Sequence, residues 1–408
     1  MSLQSRLRRH GLAAALVAAG LIASSTALPA RADTIKVGAP IPLTGPYASD
    51  GGVMDKAERL AIDEINAGGG LLGMQIEYTM FDIGDLTPDK LQAAATDLIE
   101  RKNVNVLING YGGMGPDIPA FCPYAQPYIH NDATSNVIEL AQQMGCKNIF
   151  MMLDVDVNYG RITFDQLNSM GYDYPNKKLA IIAGPYDWEI NTTKGAQEAA
   201  EKAGWDVVIN EQVPYDTKEW SGILSKIRAA GPSLIYLELL DPASVKTLVD
   251  QFHDNPVKGA LLYIGYMISV PDFGEVVKAG GADGVLGMAA QARMPDDAGK
   301  AFAEKWRQKY NEEPPFSMAA AMYDEVMLWA AAVKQVGSPS DYAAISQALR
   351  TITYEGVTGT IKFNEQQFVN STDDTTPTHL LQVQGSEIKQ IMIGSKKVVD
   401  FAPPAWLQ

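Results

Sequence analysis

Short apolar runs alternate with longer amphipathic segments along most of the chain. The runs at 35–39, 75–81 and 104–108 contain many β-branched residues, which is typical of strands. At 54–67 and 89–101, apolar residues recur every three or four positions, which predicts helices. Because strands and helices alternate strictly, the sequence predicts an α/β fold with parallel sheets covered on both faces.

The first 32 residues have the pattern of a cleaved export signal. Three arginines precede an apolar stretch at 11–22, which is short for a membrane span, and an A-x-A cleavage site follows at 30–32. No later apolar run in the sequence reaches membrane-spanning length. We therefore expect a signal peptide at 1–32 and a periplasmic protein without stable membrane insertion.

Acidic side chains outnumber basic ones. The full chain has 48 Asp and Glu against 33 Lys and Arg, a formal net charge of −15. The export signal holds four of the arginines and no acid, so the mature chain would have 29 basic side chains and a net charge of −19. A charge of this sign argues against nucleic acid as a partner.

A glycine-rich loop follows the predicted strand at 104–108. Gly110, Gly112 and Gly113 have no Cβ atoms, so their backbone N–H groups can approach a ligand closely. A helix predicted from Pro116 would bring its N-terminus to the same place, which favours an anion or an electron-rich oxygen. The alternative interpretation is a glycine-rich turn without a ligand.

A polar loop follows the next predicted strand, at 128–130. It contains Asn131, Asp132, Ala133 and Thr134. The carboxyl ends of adjacent parallel strands are where open α/β sheets hold ligands. We therefore expect this loop and the glycine loop to form one ligand site.

The glycine spacing also matches a dinucleotide-binding fingerprint. Gly110-x-Gly112-x-x-Gly115 lies between a predicted strand and a predicted helix, and Asp132 follows at a suitable distance. Pro119 disturbs the required helix, and an exported protein reaches a compartment that usually lacks such cofactors. We therefore expect no cofactor.

Only two cysteines occur, Cys122 and Cys146. They lack the C-x-x-C spacing of a metal site, so we expect no metal. In an exported protein a disulfide between them is the expected state, and two buried free thiols are the alternative.

The motifs of common enzyme classes are missing from the sequence. It contains neither the G-x-S-x-G pattern nor the H-E-x-x-H pattern, and His130, His253 and His379 are far apart. These residues offer no set of nucleophile, base and orienting group. The sequence therefore indicates a binding protein and not an enzyme.

Several segments together resemble a known family. The stretches IKVGAPIPLTGPYASDGG and AIDEINAGGGLLGMQIEYTMFD, with the loops at 110–115 and 127–134, resemble periplasmic binding proteins of the leucine/isoleucine/valine type. That family includes amide- and urea-binding members. The resemblance implies two doubly wound α/β lobes joined by three hinge crossovers, with a ligand in the cleft between them. It places lobe 1 at 33–154 and 286–360, and lobe 2 at 155–285 and 361–408.

The resemblance also implies which positions bind the ligand. They lie in the loops after the strands of both lobes and at the start of one helix. The implied ligand-binding residues are Asp50, Tyr111, Gly112, Gly113, Asp132, Ala133, Thr134, Trp188, Glu238, Asp241, Tyr266, Met267 and Met318.

Two departures from the family pattern bear on the ligand. Gly112 and Gly113 stand where the family has small hydroxyl residues that hold a ligand carboxylate, and Tyr266 and Met267 stand where amino-acid binders place an acid for the ligand ammonium. Five ligand classes therefore stay open: an amino acid, an amide, a urea-like compound, an aromatic compound and a cation. Four acids could replace the missing acid that binds the ligand ammonium, namely Asp50, Asp132, Glu238 and Asp241. Each of them could equally be a helix cap or a solvated turn residue.

The resemblance implies solute capture by hinge closure and delivery to an ABC-transporter membrane permease with its ATPase. The alternative is a periplasmic ligand sensor that passes the closed state to a signalling partner.

Overall fold

A computed structural model describes residues 34–408. The predicted signal peptide at 1–32 lies outside the described residues. Within 34–408, none of the helices is both long enough and apolar enough to cross a membrane.

Fifteen strands occur in the described part of the chain. Most of them are short, buried and rich in apolar residues, and they end where glycine, proline or polar loop residues begin. The strands are β1 (Ile35–Ile41), β2 (Ile76–Asp82), β3 (Val106–Asn109), β4 (Tyr128–His130), β5 (Ile149–Met151), β6 (Lys178–Ala183), β7 (Asp206–Gln212), β8 (Leu234–Glu238), β9 (Leu261–Tyr263), β10 (Leu286–Ala289), β11 (Tyr354–Gly356), β12 (Gly359–Ile361), β13 (His379–Gln384), β14 (Glu387–Ile393) and β15 (Lys396–Lys397).

Most of the helices between the strands bury one face, whereas the helix at Ala319–Val336 is buried on nearly all sides. A π-helical segment, Thr96–Arg101, continues α2, and a 3-10 helix, Gly265–Ser269, follows β9. The α-helices are α1 (Ala48–Ala67), α2 (Pro88–Ala95), α3 (Asp117–Phe121), α4 (Ser135–Gln143), α5 (Asp156–Ser169), α6 (Asp187–Lys202), α7 (Ser221–Ala230), α8 (Pro242–Asp254), α9 (Pro271–Lys278), α10 (Asp297–Tyr310), α11 (Ala319–Val336) and α12 (Tyr342–Thr351).

The strands form two large sheets. The first has the order β2-β1-β3-β4-β5 and is parallel throughout. The second has the order β15-β14-β13-β10-β9-β8-β6-β7, with β6 to β10 parallel and β13 to β15 antiparallel. In each sheet the strand order reverses once, between β1 and β3 and between β6 and β8. Open α/β sheets bind ligands at the carboxyl ends of strands beside such a reversal.

We call the five-stranded sheet with its helices lobe 1, and the eight-stranded sheet with its helices lobe 2. Helix α11 packs on α1 and β3, so the helices after β10 return to lobe 1. The fold is therefore the two-lobed α/β architecture that the resemblance implies. Strand β10 pairs with β9 and β13, so residues 286–289, placed in lobe 1 by the resemblance, lie in the sheet of lobe 2. The other implied boundaries stay a prediction.

Three segments connect the lobes, after β5, after β10 and after β12. They are bonded to one another: the Gln291 side-chain amide donates to the Met152 carbonyl, and the Ser371 backbone N–H donates to Asp154 Oδ2 at 2.8 Å. These contacts hold the three connections side by side, which is the arrangement a hinge requires.

The predicted and observed elements differ at two places that matter for the site. The turn residues at 42–52 predict a loop from the sequence, but α1 begins at Ala48, so Asp50 lies in its first turn. The sequence also predicts a loop at 184–189, after an apolar run at 178–183, but α6 begins at Asp187, so Trp188 lies in a helix and is 8% exposed. The Glu189 side chain accepts from the Tyr186 backbone N–H at 2.8 Å, which stabilises this helix start.

A disulfide joins Cys122, just after α3, to Cys146, just after α4. It links two lobe 1 helices that flank β4, the strand that leads into the polar loop at 131–134. No cysteine in the described chain is free.

Candidate ligand-binding cleft

A cavity of about 220 Å³ lies between the carboxyl ends of the strands of the two lobes. Its lobe 1 wall comes from the segments that follow β1, β2, β3 and β4 and from the start of α11. Its lobe 2 wall comes from the segments that follow β6, β8 and β9, and the segment after β10 joins it at the hinge. Both strand-order reversals therefore open onto the same cavity.

Ten of the thirteen residues implied by the resemblance line this cavity, although their role in ligand binding stays a prediction. The structure brings them together from sequence positions that are more than 200 residues apart. They are Asp50, Tyr111, Gly112, Gly113, Asp132, Thr134, Trp188, Tyr266, Met267 and Met318.

The other three residues do not line the cavity. Ala133 is fully buried in the hydrophobic core. Glu238 ends β8 and is also fully buried, behind the segment that carries Tyr266. Asp241 precedes α8 and accepts from the Asp216 backbone N–H at 2.7 Å and from the Ser244 hydroxyl. Asp241 therefore stands at the N-cap position of α8, but its side chain does not cap the helix backbone, and its carboxylate instead binds Asp216 and Ser244.

The glycine loop is held by acidic side chains. A Cβ atom at Gly112 would overlap the Asp117 carboxylate, so only glycine allows the loop to approach it. Asp132 Oδ2 accepts from the Met114 backbone N–H at 2.7 Å. Burial raises the pKa of Asp132 to about 6, and backbone N–H groups oppose that rise. At neutral pH the loop therefore already holds a carboxylate of the protein itself.

A second carboxyl lies beneath the loop, outside the cavity lining. Asp117 is fully buried, and burial and the nearby Asp132 raise its pKa well above its usual range. Tyr128 donates to Asp117 at 3.0 Å. His130 stacks on Tyr128, and burial lowers its pKa to about 3, so the imidazole is neutral. His130 is therefore a core histidine, and Asp132 carries the charge of this cluster.

Asp50 joins the two walls of the cavity. Tyr111 of lobe 1 donates to its Oδ2 atom, and Tyr266 of lobe 2 donates to the same atom at 3.2 Å. Burial raises the Asp50 pKa, and the tyrosine hydroxyls oppose that rise. The other oxygen, Asp50 Oδ1, is buried without a hydrogen-bond partner.

Further lining residues were not identified from the sequence. Tyr47 lies in a stretch that carried the family resemblance, so closer attention to that stretch could have found it. Gln291 lies on a crossover, where no sequence pattern marks a ligand contact. Asn131, in the polar loop expected at the site, also lines the cavity. The unidentified polar and aromatic lining residues are Tyr47, Ser49, Asp85, Tyr186, Asp272, Gln291, Phe316 and Ser317.

The lining limits what the cavity can do. Apolar and aromatic side chains make up most of it, and among its described residues there is no lysine, arginine, histidine or cysteine. No group of three or more His, Cys, Asp and Glu within 34–408 is arranged to hold a metal ion. An apolar cleft with a few polar groups that fix orientation is the usual form of a small-molecule site.

Comparison with known proteins agrees with this geometry. A protein of Pseudomonas aeruginosa named for binding leucine, isoleucine, valine, threonine and alanine is 25% identical over 371 residues, which cover 90% of this chain and 95% of the relative. A crystal structure from Silicibacter pomeroyi, assigned to branched-chain amino acid ABC transport, has a TM-score of 0.83 at 25% identity and covers 92% of this chain and 100% of that chain.

A more distant likeness concerns the fold alone. An R. palustris ABC transporter solute-binding protein in complex with benzoate has a TM-score of 0.73 at 19% identity, over 91% of this chain and 99% of that chain. The family model for periplasmic binding proteins matches residues 34–384, which contain every residue of the cavity lining. With its two lobes and the cavity between them, this chain belongs to the periplasmic binding protein family.

Proposed function

We propose that this chain captures a small organic ligand in the cleft by hinge closure and delivers it to the permease and ATPase of an ABC transporter. The observation that carries the proposal is the cavity, because a ligand inside it would contact both lobes at once. Contacts that exist only in the closed arrangement shift the population towards that arrangement. The permease would then recognise the closed form.

The connection between the lobes supports the hinge. The described arrangement has a contact across the cavity, from Tyr266 to Asp50. Because the three connecting segments lie side by side, rotation about them would open this contact without unfolding either lobe. The predicted signal peptide would place this cycle in the periplasm.

Binding without catalysis fits the lining better than an enzyme does. Ser49, Thr134 and Ser317 bring hydroxyls to the cavity, but the described lining has no histidine, lysine or cysteine to activate them. The sensor alternative gains no support from the relatives reported above, whose names are those of binding and transport proteins.

The test is a panel of amino acids, amides, ureas, aromatic acids and aliphatic and aromatic amines. A ligand should raise the melting temperature of the protein by mass action and lower its radius of gyration in X-ray scattering as the lobes close. Deletion of the gene should abolish uptake of that ligand by the source organism. Uptake that survives the deletion, together with a lost transcriptional response to the ligand, would favour the sensor.

A matched pair of variants controls this experiment. Leu240→Trp places a large side chain at a partly exposed position of the lining, so it should block binding. Val398→Trp adds the same side chain at a position that is 46% exposed and outside the cavity lining, and it should bind normally. Equal ligand binding by both variants would contradict a site in the cleft.

A further inference from the structure

Three buried hydrogen-bond acceptors of the cavity lining, Asp50 Oδ1, Asn131 Oδ1 and Gln291 Oε1, have no partner, and neither do two buried donors, Trp188 Nε1 and the Ser317 hydroxyl. Asp50 Oδ1 and Gln291 Oε1 belong to side chains that are each 4% exposed. The Ser317 hydroxyl lies beside the Asp50 carboxylate and opposes the rise of its pKa, but it forms no hydrogen bond of normal geometry to either oxygen. Because a buried acceptor without a donor is costly, these acceptors favour a ligand that brings N–H groups.

The Gln291 acceptor has a fixed orientation. Its Nε2 atom donates to the Met152 carbonyl on the neighbouring crossover, so its Oε1 atom is the one left free. Asp50 Oδ2 is likewise engaged by Tyr111 and Tyr266, which leaves Oδ1 free. The existing bonds therefore position both free oxygens before any ligand arrives.

The charges around the cavity have one sign. Asp50 and Asp132 are buried in its lining, and Asp85 and Asp272 are exposed members of the lining. Among the described lining residues no basic side chain balances them. A ligand with a positive charge would compensate the buried carboxylates, and the exposed pair would attract it.

The glycine loop disfavours a ligand carboxylate. Asp132 already accepts from the Met114 backbone N–H of that loop at 2.7 Å. A ligand carboxylate bound at this loop would lie close to the Asp132 carboxylate, and like charges at short distance repel. The loop is therefore unsuited to the acid end of an amino acid.

The rest of the lining suits an apolar body with a cationic end. Aromatic faces attract an ammonium group through their quadrupoles and pack against hydrocarbon. The aromatic lining residues come from both lobes and are Tyr47, Tyr111, Tyr186, Trp188, Tyr266 and Phe316.

We propose that the ligand is an organic ammonium compound with N–H groups, an apolar body and no carboxylate, and that Asp50 and Gln291 hold its ammonium end. This inference rests on the proposed function, since it names the ligand class of the same cleft. Protonated primary amines meet both needs at once, whereas a quaternary ammonium group has no N–H to donate to the two free oxygens.

The experiment compares matched probes by titration calorimetry. The amines are 2-phenylethylamine, isopentylamine and propylamine, the amino acids are phenylalanine and leucine, and the acids are 3-phenylpropionate and benzoate. The neutral probe is 3-phenylpropanamide, and the quaternary probe is trimethyl(2-phenylethyl)ammonium. We expect at least one primary amine to bind at least tenfold more tightly than every amino acid, acid, amide and quaternary probe.

Two variants test whether the ammonium group of the ligand binds at Asp50. Asp50→Asn keeps the size of the side chain but removes its charge, and it should weaken amine binding at least 100-fold. Asp89→Asn removes the same charge from the exposed first turn of α2, outside the cavity lining, and should change binding less than threefold. Circular dichroism and melting temperatures establish that both variants are folded.

Each contrary outcome has a distinct meaning. Tighter binding of an amino acid, an acid, the amide or the quaternary probe, or no binding of any amine, would overturn the ammonium inference. If such a competing ligand also lowers the radius of gyration, the proposed function stands. If no compound of any class binds in the cleft and closes the lobes, both the proposed function and the ammonium inference are wrong.

Discussion

Replacing Gly195 with alanine should lower the free energy of unfolding by about 3 kcal/mol, at the upper end of typical overpacking effects. Gly195 lies in α6, where a Cβ atom would overlap the Val157 backbone carbonyl of α5. The contact is reciprocal, because a Cβ atom at Gly160 of α5 would overlap the Thr192 carbonyl of α6. The two helices thus cross with their backbones in contact, and no side-chain rotation can relieve the added methyl group.

The reason for a large effect is that backbone atoms must move. The same interface contains Tyr159 packed on Trp188, with ring centroids 5.4 Å apart, and Asn191, which donates to Asp156 Oδ2 at 2.8 Å. A shift of α6 would disturb both contacts. Since Trp188 also lines the cavity, the substitution should weaken ligand binding as well.

Urea unfolding followed by circular dichroism gives the free energies. Gly274→Ala is the matched control, because Gly274 lies in α9 with nothing within 4 Å of an added Cβ atom. There alanine should be neutral or stabilise by about 0.5–1 kcal/mol, as expected for a helix interior. A loss at Gly195 no larger than 1 kcal/mol would show that the helices can separate at little cost.

The sequence pattern was sufficient for the sheets. Strand β4 has the bounds predicted from the sequence, and the apolar run at 378–384 predicts β13 within one residue, because apolar runs between polar loops fix the ends of buried strands. The start of α1 was predicted wrongly. The Ser-Asp-Gly-Gly stretch there resembles a turn, yet it forms helix. A Cβ atom at Gly51 would overlap the Pro42 carbonyl, so glycine is needed for a close backbone approach that the apolar pattern cannot show.

The site could be predicted only in part, for a related reason. The family resemblance identified loops at the strand ends, and the fold brought most of those loops to the cavity. It could not identify the bond from Tyr266 to Asp50, whose partners are 216 residues apart. Nor could it distinguish Glu238, behind the lining, from Asp50, within it, because burial behind a neighbouring segment depends on tertiary packing.

Replacing Glu238 with glutamine should remove the contribution of this carboxyl to the pH dependence of stability. Glu238 ends β8, and burial, followed by the nearby Glu189, raises its pKa from 4.5 to about 8. Glu189 itself accepts from the Tyr186 and Leu240 backbone N–H groups and from the Tyr215 hydroxyl. That donor set stabilises a charged Glu189, so Glu238 is the neutral member of the pair.

The sign of the effect follows from proton binding. Between the unfolded pKa of 4.5 and the folded pKa of about 8, the folded chain binds one proton more at this carboxyl than the unfolded chain. The free energy of unfolding therefore falls as pH rises through this range, by about 1.4 kcal/mol per pH unit. Below this range the contribution is fully present, and above it the contribution is lost.

Glutamine has nearly the shape of the protonated acid and does not titrate. As pH rises from 5 to 8, the free energy of unfolding of Glu238→Gln should therefore increase by about 4 kcal/mol relative to that of the parent. Urea unfolding at one-unit steps measures this difference, and Glu219→Gln, at an exposed position, should run parallel to the parent. Parallel curves for Glu238→Gln and the parent would mean that this carboxyl is charged in the folded protein.

A Cβ atom at Gly265 would overlap the Glu238 carboxyl, so this group packs directly beneath the segment that carries Tyr266. A charge there would disturb the cavity wall, and for that reason ligand binding by the parent should weaken above pH 8 more than binding by the glutamine variant.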